Sequence, residues 1–267
     1  MTTHLAEFGR IDQTRNADYF IRFLDEASAQ PSLQAYKRHM MELLDLKAGM
    51  KVLDVGCGTG DDVRAMAPRV APGGLLVGAD NSAAMIAEAR KRAEGSGLPV
   101  AFHEADVLKL PFDADHFDCT QADRSLMHVP DAAGALAEMW RVTRPGGRIA
   151  VFEVDFGTLT IDADDRALGR AIIQTWSDSV KNGWLGRHIP ALLADLGVQE
   201  LNVFPYTLTC TPGMALLLIG KETAAKAVAK RTITPAQADA WLAHMDDLQR
   251  RGRFFSTLTG FLATGRK

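Results

Sequence analysis

Three aspartates in the first half of the chain stand where a carboxylate can receive a ligand. Asp54 lies inside a short apolar run, Asp80 closes a second, and Asp106 follows a third. Each offers acceptor oxygens to the hydroxyl, amino or ammonium groups of a small molecule. Between the first two lies the loop Gly56-Cys57-Gly58-Thr59-Gly60. Only glycine combines freedom at positive φ with no side chain to block an approaching ligand. A strand that turns through such glycines into a helix is the nucleotide-binding turn of a βαβ unit, at the carboxyl end of its first strand.

The choice of nucleotide rests on charge and spacing. A dinucleotide loop reads G-x-G-x-x-G, but here the third glycine, Gly60, comes one residue early and Asp61 takes its place. The carboxylate of Asp54, two residues before Gly56, sits badly with pyrophosphate and well with an ammonium group. Opposite charges at ~4 Å are worth a few kcal/mol in a partly buried site. The loop therefore reads as built for a cationic, phosphate-free nucleoside. Asp80 is placed to take both ribose hydroxyls, which fits NAD equally. Asp106, before Leu110-Pro111-Phe112, reads as an acceptor for an adenine amino group or as an ordinary loop cap.

Strands and helices alternate around these residues. Strands are expected at Lys51–Val55, Leu75–Ala79, Val100–Glu104, Phe117–Ala122 and Arg148–Glu153, with helices at Asp61–Ala67, Ser82–Glu94 and Asp131–Val142. Strict alternation implies a mostly parallel sheet with helices on both faces. Ahead of it, residues 16–46 carry two apolar stripes, Tyr19, Phe20, Phe23, Leu24, Ala27 and Tyr36, Met40, Leu43, Leu44, separated at Pro31 with Ser32 as cap. These helices either pack on the core or form a lid in which Tyr19 closes over the ligand and excludes water. Beyond Asp155 helices are expected at Asp164–Lys181, at Pro190–Leu196 with Pro190 in its first turn, at Met214–Lys230, and from a cap at Thr234. Strands are expected at Gln199–Cys210 and Phe254–Ala263.

Composition sets the outer bounds. With 47% hydrophobic residues the chain can bury a sizeable core. Thirty Lys and Arg against 33 Asp and Glu, a net charge of −3, argue against a dedicated nucleic-acid binder. Cys57, Cys119 and Cys210 show neither metal spacing nor a disulfide framework, so no metal is expected and a reducing cytoplasm fits. No apolar run approaches a membrane span, and Met1–Gly9 has no signal-peptide pattern.

Taken in order, Val52–Gly60, Asp80, Glu104-Ala105-Asp106, Phe117-Asp118 and Arg144-Pro145-Gly146-Gly147 resemble the successive motifs of class I S-adenosylmethionine-dependent methyltransferases, over residues 50–155. Within that family the chain is similar to quinone-biosynthesis and natural-product small-molecule methyltransferases. The resemblance implies an α/β, three-layer, doubly wound Rossmann-like sheet of seven strands with the last antiparallel. It implies S-adenosyl-L-methionine as cofactor. Asp54, Gly56, Gly58, Thr59 and Gly60 would hold its methionine part, Asp80 the ribose, and Asp106 with Val107 the adenine, with Tyr19, Asn81, Met85 and Ala105 as further cofactor contacts. Asp123 would approach the methionine end.

Methyl transfer is an in-line displacement in which positioning supplies much of the acceleration. A hydroxyl acceptor must lose its proton, a task for a neutral histidine. His128 lies where related enzymes carry such a histidine, and otherwise caps the helix starting near Asp131. Asp155 resembles an acidic base or orienter, and otherwise caps the next segment. Arg124 reads as a partner for an anionic acceptor or as a solvated arginine, and His188 as a loop histidine. Gln121-Ala122-Asp123-Arg124 lacks the Asn/Asp, two prolines and aromatic residue of base and amide methylators, which further disfavours nucleic acid.

Trp176, Trp184, Phe204, Tyr206 and Trp241 read as packing residues that together hint at an apolar or aromatic acceptor. The resulting division is a lid at 1–48 and a methyltransferase domain at 49–267. Within it fall a cofactor core at 49–155, substrate-side helices at 156–198, and a helical insertion at 211–252 that could pair two subunits. Oxygen is the expected acceptor atom; the alternatives are methylation at carbon, a cofactor-binding cyclase and, less well matched, a nicotinamide oxidoreductase.

Overall fold

The structure is a computed structural model that describes residues 5–14 and 16–267. The expected lid at 1–48 thus includes positions 1–4 and 15, which lie outside the described residues. Helices α1 (Ala17–Ser28) and α2 (Pro31–Leu43) precede β1 (Lys51–Val55), α3 (Asp61–Val70), β2 (Leu75–Asp80), α4 (Ala83–Ala93) and β3 (Val100–Glu104). The chain continues through β4 (Phe117–Asp123), α5 (Ala132–Val142), β5 (Thr143–Ile161), α6 (Arg166–Ser177), α7 (Leu185–Asp195) and β6 (Gln199–Thr209). It closes with α8 (Pro212–Ile219), α9 (Lys221–Ala229), α10 (Pro235–Arg250) and β7 (Ser256–Arg266).

One sheet of seven strands results, in the order β3-β2-β1-β4-β5-β7-β6, and β7 runs antiparallel to both neighbours. The strand order reverses between β1 and β4. Doubly wound sheets open a crevice beyond the carboxyl ends of the strands at that point. The central strands are apolar and buried because helices cover both faces of the sheet; Val52, Leu53, Leu76, Ile149 and Val151 have essentially no exposed surface.

Helix α2 is part of this core rather than an appendage. Leu33, Tyr36, Met40 and Leu44 join the main apolar cluster, and the Tyr36 ring stacks on Phe152 of β5 at 3.7 Å. Gly260 on β7 makes room for the Phe152 ring, since a Cβ there would lie 2.2 Å from it. The segment before α2 behaves differently. Ile11, Phe20 and Met85 form a second, smaller cluster with Phe8, Tyr19 and Leu24 around it.

Several boundaries differ from expectation for readable reasons. Pro31 occupies the first turn of α2 and Gln30, not Ser32, is its cap. Strand β5 runs through to Ile161 because β7 pairs with it as far as Ile161↔Ser256. Pro190 lies inside α7, which starts at Leu185, and His188 is helical rather than in a loop. Gly220 ends α8 and begins α9, splitting the expected single helix. The Thr234 and Gln237 capping box of α10 forms as read, with donor–acceptor distances of 3.2 and 2.9 Å.

Candidate active site

A single cavity runs along the carboxyl edge of the sheet. Its first half lies over β1, β2 and β3 and is lined by Gly56, Gly58, Asp80, Asn81, Met85, Ala105, Asp106 and Val107. Gly56 needs its φ of 72°, and a Cβ there would strike Ser125 at 2.3 Å, so no other residue fits the loop. The Asp80 carboxylate accepts from the backbone N–H of Gly58 and of Ser82, each at 2.9 Å. It thereby ties the glycine loop to the start of α4. Burial pushes its pKa up, against the pull of these two donors.

A strap of 3-10 turns, Leu5–Gln13, closes this half from above. Its Asp12 accepts from Ser82 Oγ at 2.6 Å and from the N–H of Ala83 at 2.8 Å and Ala84 at 3.3 Å. A carboxylate on these orphan donors also meets the positive end of the α4 dipole. Burial would raise the Asp12 pKa, but these donors outweigh it and hold the carboxyl below its ordinary range. Helix α1 is fastened to α4 by Asp25, which takes both terminal nitrogens of Arg92 at 2.7 and 3.0 Å.

Under the loop lies a buried cluster of charge. Lys37 of α2 pairs with Asp62, and with Asp123 at 2.9 Å. Asp123 also accepts from Tyr36 Oη at 2.9 Å and from Arg124 at 3.3 Å. Asp54 is 3% exposed and accepts from Gln121 at 3.0 Å. Burial raises the Asp54 pKa well above its ordinary value, and Asp62 adds to this. Burial also raises Asp62, against the opposing pull of Lys37. For Asp123 the Lys37 and Arg124 cations outweigh burial and hold the carboxyl down. Burial would lower Lys37, but Asp123 and Asp62 outweigh it and keep the ammonium firmly charged. Asp62 and Asp123 thus share the Lys37 and Arg124 cations, while burial favours the neutral form of Asp54.

Between the two halves of the cavity stands a turn, Leu126–His128, carried by Arg124 and Ser125. His128 stacks on Phe8 of the strap, with ring centroids 5.3 Å apart. Burial, with help from the Arg124 cation, lowers its pKa to about 4, so the imidazole is neutral at pH 7. The turn is held from below by Glu153 of β5, whose Oε1 accepts from Leu126 N–H at 2.6 Å. Its Oε2 is buried with no hydrogen-bond partner among the described residues. A carboxylate left so would be costly, and burial accordingly raises Glu153 to about 8.

The Glu153 shift has a measurable sign. The folded form keeps a proton that the unfolded chain releases near 4.5. Between pH 4.5 and 8 the folded state binds more protons, so this group's contribution to stability falls as pH rises, by up to about 1.4 kcal/mol per unit. Glu153→Gln should remove that component. Urea unfolding of both proteins would show a difference that widens across the window and is flat on either side. A difference independent of pH would mean Glu153 is ionised in the folded protein.

Not every expected residue reaches the cavity. Asp54, Thr59, Gly60 and Tyr19 do not line it; Asp54 lies beneath the loop and Tyr19 packs edge-on against Phe20. Asp155 points away from it. Residues alternate across a strand, so Val154 and Phe156 face the cavity while Asp155, fully buried, pairs with Arg187 of α7. Arg124 lines the cavity, but its guanidinium is already engaged by Asp123. None of the five late aromatic residues lines it: Trp176 and Trp241 are core, and Trp184 is exposed beneath Arg187. The cavity's second half is instead lined from β5, β6, β7 and α8.

Residues 46–200 match the family model for a methyltransferase domain. The chain belongs to the S-adenosylmethionine-dependent methyltransferases. Among relatives of this methyltransferase, it is 34% identical over 255 residues to an uncharacterized 37.1 kDa protein in transposon Tn4556 of Streptomyces fradiae, covering 94% of this chain and 72% of that one. It is 42% identical over 118 residues to the demethylmenaquinone methyltransferase of Thermus thermophilus, covering 44% of this chain and 53% of the enzyme. The methyltransferase thus matches about half the length of that relative. Its fold is similar to that of the YcgJ protein from Bacillus subtilis, with a TM-score of 0.64, 18% identity, and coverage of 88% of this chain and 98% of the other.

The cofactor of this family fits the first half of the cavity on the donor set found there. Asp80 and Asn81 supply polar groups at the end of β2, while Ala105, Val107 and Met85 supply an apolar slot beside Asp106. Among the described residues no helix is long and apolar enough to cross a membrane, and no group of side chains could hold a metal ion.

Proposed function

We propose that this methyltransferase moves the methyl group of S-adenosylmethionine to an oxygen of an uncharged, largely apolar small molecule. The observation that carries this reading is the place of His128. A neutral imidazole stands in the wall where the polar half of the cavity meets the apolar half. The cofactor supplies an electrophilic methyl on a sulfonium that becomes neutral on transfer. Asp80 would hold the ribose hydroxyls, Asp106 and Val107 the adenine, and Gly56 and Gly58 the methionine part. A cationic cofactor would favour the ionised form of Asp54 beneath the loop.

His128 accepts the acceptor's proton as the oxygen attacks. A base with a pKa near 4 is weak before transfer. Phe8 and the strap exclude water from this step. The demethylmenaquinone methyltransferase relative supports a ring-bearing acceptor.

Asp80→Ala should weaken S-adenosylhomocysteine binding by roughly 1–3 kcal/mol through lost charged hydrogen bonds, read by calorimetry. Unchanged affinity would remove Asp80 from the site. For the reaction itself, the protein with labelled cofactor and a panel of phenols, quinols and aliphatic alcohols should yield a product heavier by one methylene and bearing a methoxy carbon. A new carbon-bound methyl would replace oxygen by carbon as acceptor. A product of unchanged mass would point to a cofactor-binding cyclase.

A further inference from the structure

The second half of the cavity has a composition of its own. Val154 and Phe156 of β5, Leu208 of β6, Leu258 of β7, and Met214 and Leu218 of α8 line it, and none of the six carries a charge or a side-chain hydroxyl or amide. Four of these residues, those of β6, β7 and α8, lie beyond residue 200, where the match to the family model ends. This end of the cavity is therefore built largely by segments outside the matched family model. Asp155, between Val154 and Phe156 on β5, faces the other side of the strand and is neutralised by Arg187.

We propose that this end is a separate subsite that binds an extended, uncharged aliphatic tail of the methyl acceptor. The proposal rests on the reading above only in placing the reacting hydroxyl at His128. Neighbouring strands lie about 4.8 Å apart, and the order β4-β5-β7-β6 puts β7 two spacings and β6 three beyond β4. The subsite thus reaches roughly 10–14 Å past the histidine turn, enough for a chain of about eight carbons. A cavity lined only by hydrocarbon gains nothing from holding water and readily takes apolar guests. A charged tail would lose its hydration with no partner in return.

The test needs no knowledge of the natural substrate. Protein saturated with S-adenosylhomocysteine is titrated calorimetrically with 4-methylphenol, 4-butylphenol and 4-octylphenol. Affinity should rise about fourfold per added methylene, the worth of ~0.8 kcal/mol for each buried, until the chain meets β6. A carboxylate at the end of the octyl chain should abolish the gain. Leu218→Trp should cancel the octyl advantage and leave 4-methylphenol and S-adenosylhomocysteine binding unchanged. Equal affinity across the three phenols on the unaltered protein, or an octyl gain that survives Leu218→Trp in a folded variant, would overturn the subsite. Failure of S-adenosylhomocysteine itself to bind would instead overturn the functional reading.

Discussion

Lys37→Met should destabilise the protein by about 3–5 kcal/mol, the cost of breaking a buried ion pair from one side. Lys37 is 9% exposed and is the cation for both Asp62 and Asp123. Without it Arg124 is left as the cation beside Asp123, and Arg124 already occupies a strained backbone position at φ 52°. The deficit should shrink towards acid pH, because protonation removes the uncompensated charges that the substitution creates. Urea unfolding at neutral and acid pH reads both effects. A loss below about 1 kcal/mol would class the lysine with solvent-screened surface pairs and would remove the cluster from the account of the site.

His128→Ala should lower turnover by roughly 10²–10⁴-fold, the usual worth of a positioned general base, with little change in cofactor affinity. Because burial holds the imidazole near pKa 4, the unaltered enzyme should show no acidic limb from this group between pH 5 and 8. The two measurements separate base from packing. Loss of the stack on Phe8 would loosen the strap and raise the Michaelis constant for the cofactor; loss of a base lowers kcat. Full activity in the variant would leave His128 a structural residue.

Much of this was legible because local chemistry and fold agree. The glycine spacing, Asp80 at a strand end and Asp106 after the next predict the polar half of the cavity, and the strand–helix alternation predicts the sheet that places them. What was missed depends on long-range contacts. Lys37 falls on the same stripe of α2 as Leu33, Tyr36 and Met40, and a lysine on an apolar stripe is a sign of a buried partner. Its identity as the counter-ion of Asp62 and Asp123 comes only from folding α2 over the glycine loop. Glu153 interrupts the apolar run Ile149–Val154 in the same way. Asp155 misled for a simpler reason: being one residue along a strand from Val154 turns its side chain to the opposite face. The apolar half escaped notice because its walls are ordinary leucines and a methionine, drawn together from β6, α8 and β7.

The acid-rich glycine loop should serve a sulfonium nucleoside and not a dinucleotide. Calorimetric titration of the intact protein with S-adenosylhomocysteine and, separately, with NAD tests it most directly. Saturable binding of S-adenosylhomocysteine, weakened in Asp80→Ala, and no measurable heat from NAD are the expected results. Binding of NAD in the absence of binding by S-adenosylhomocysteine would contradict it.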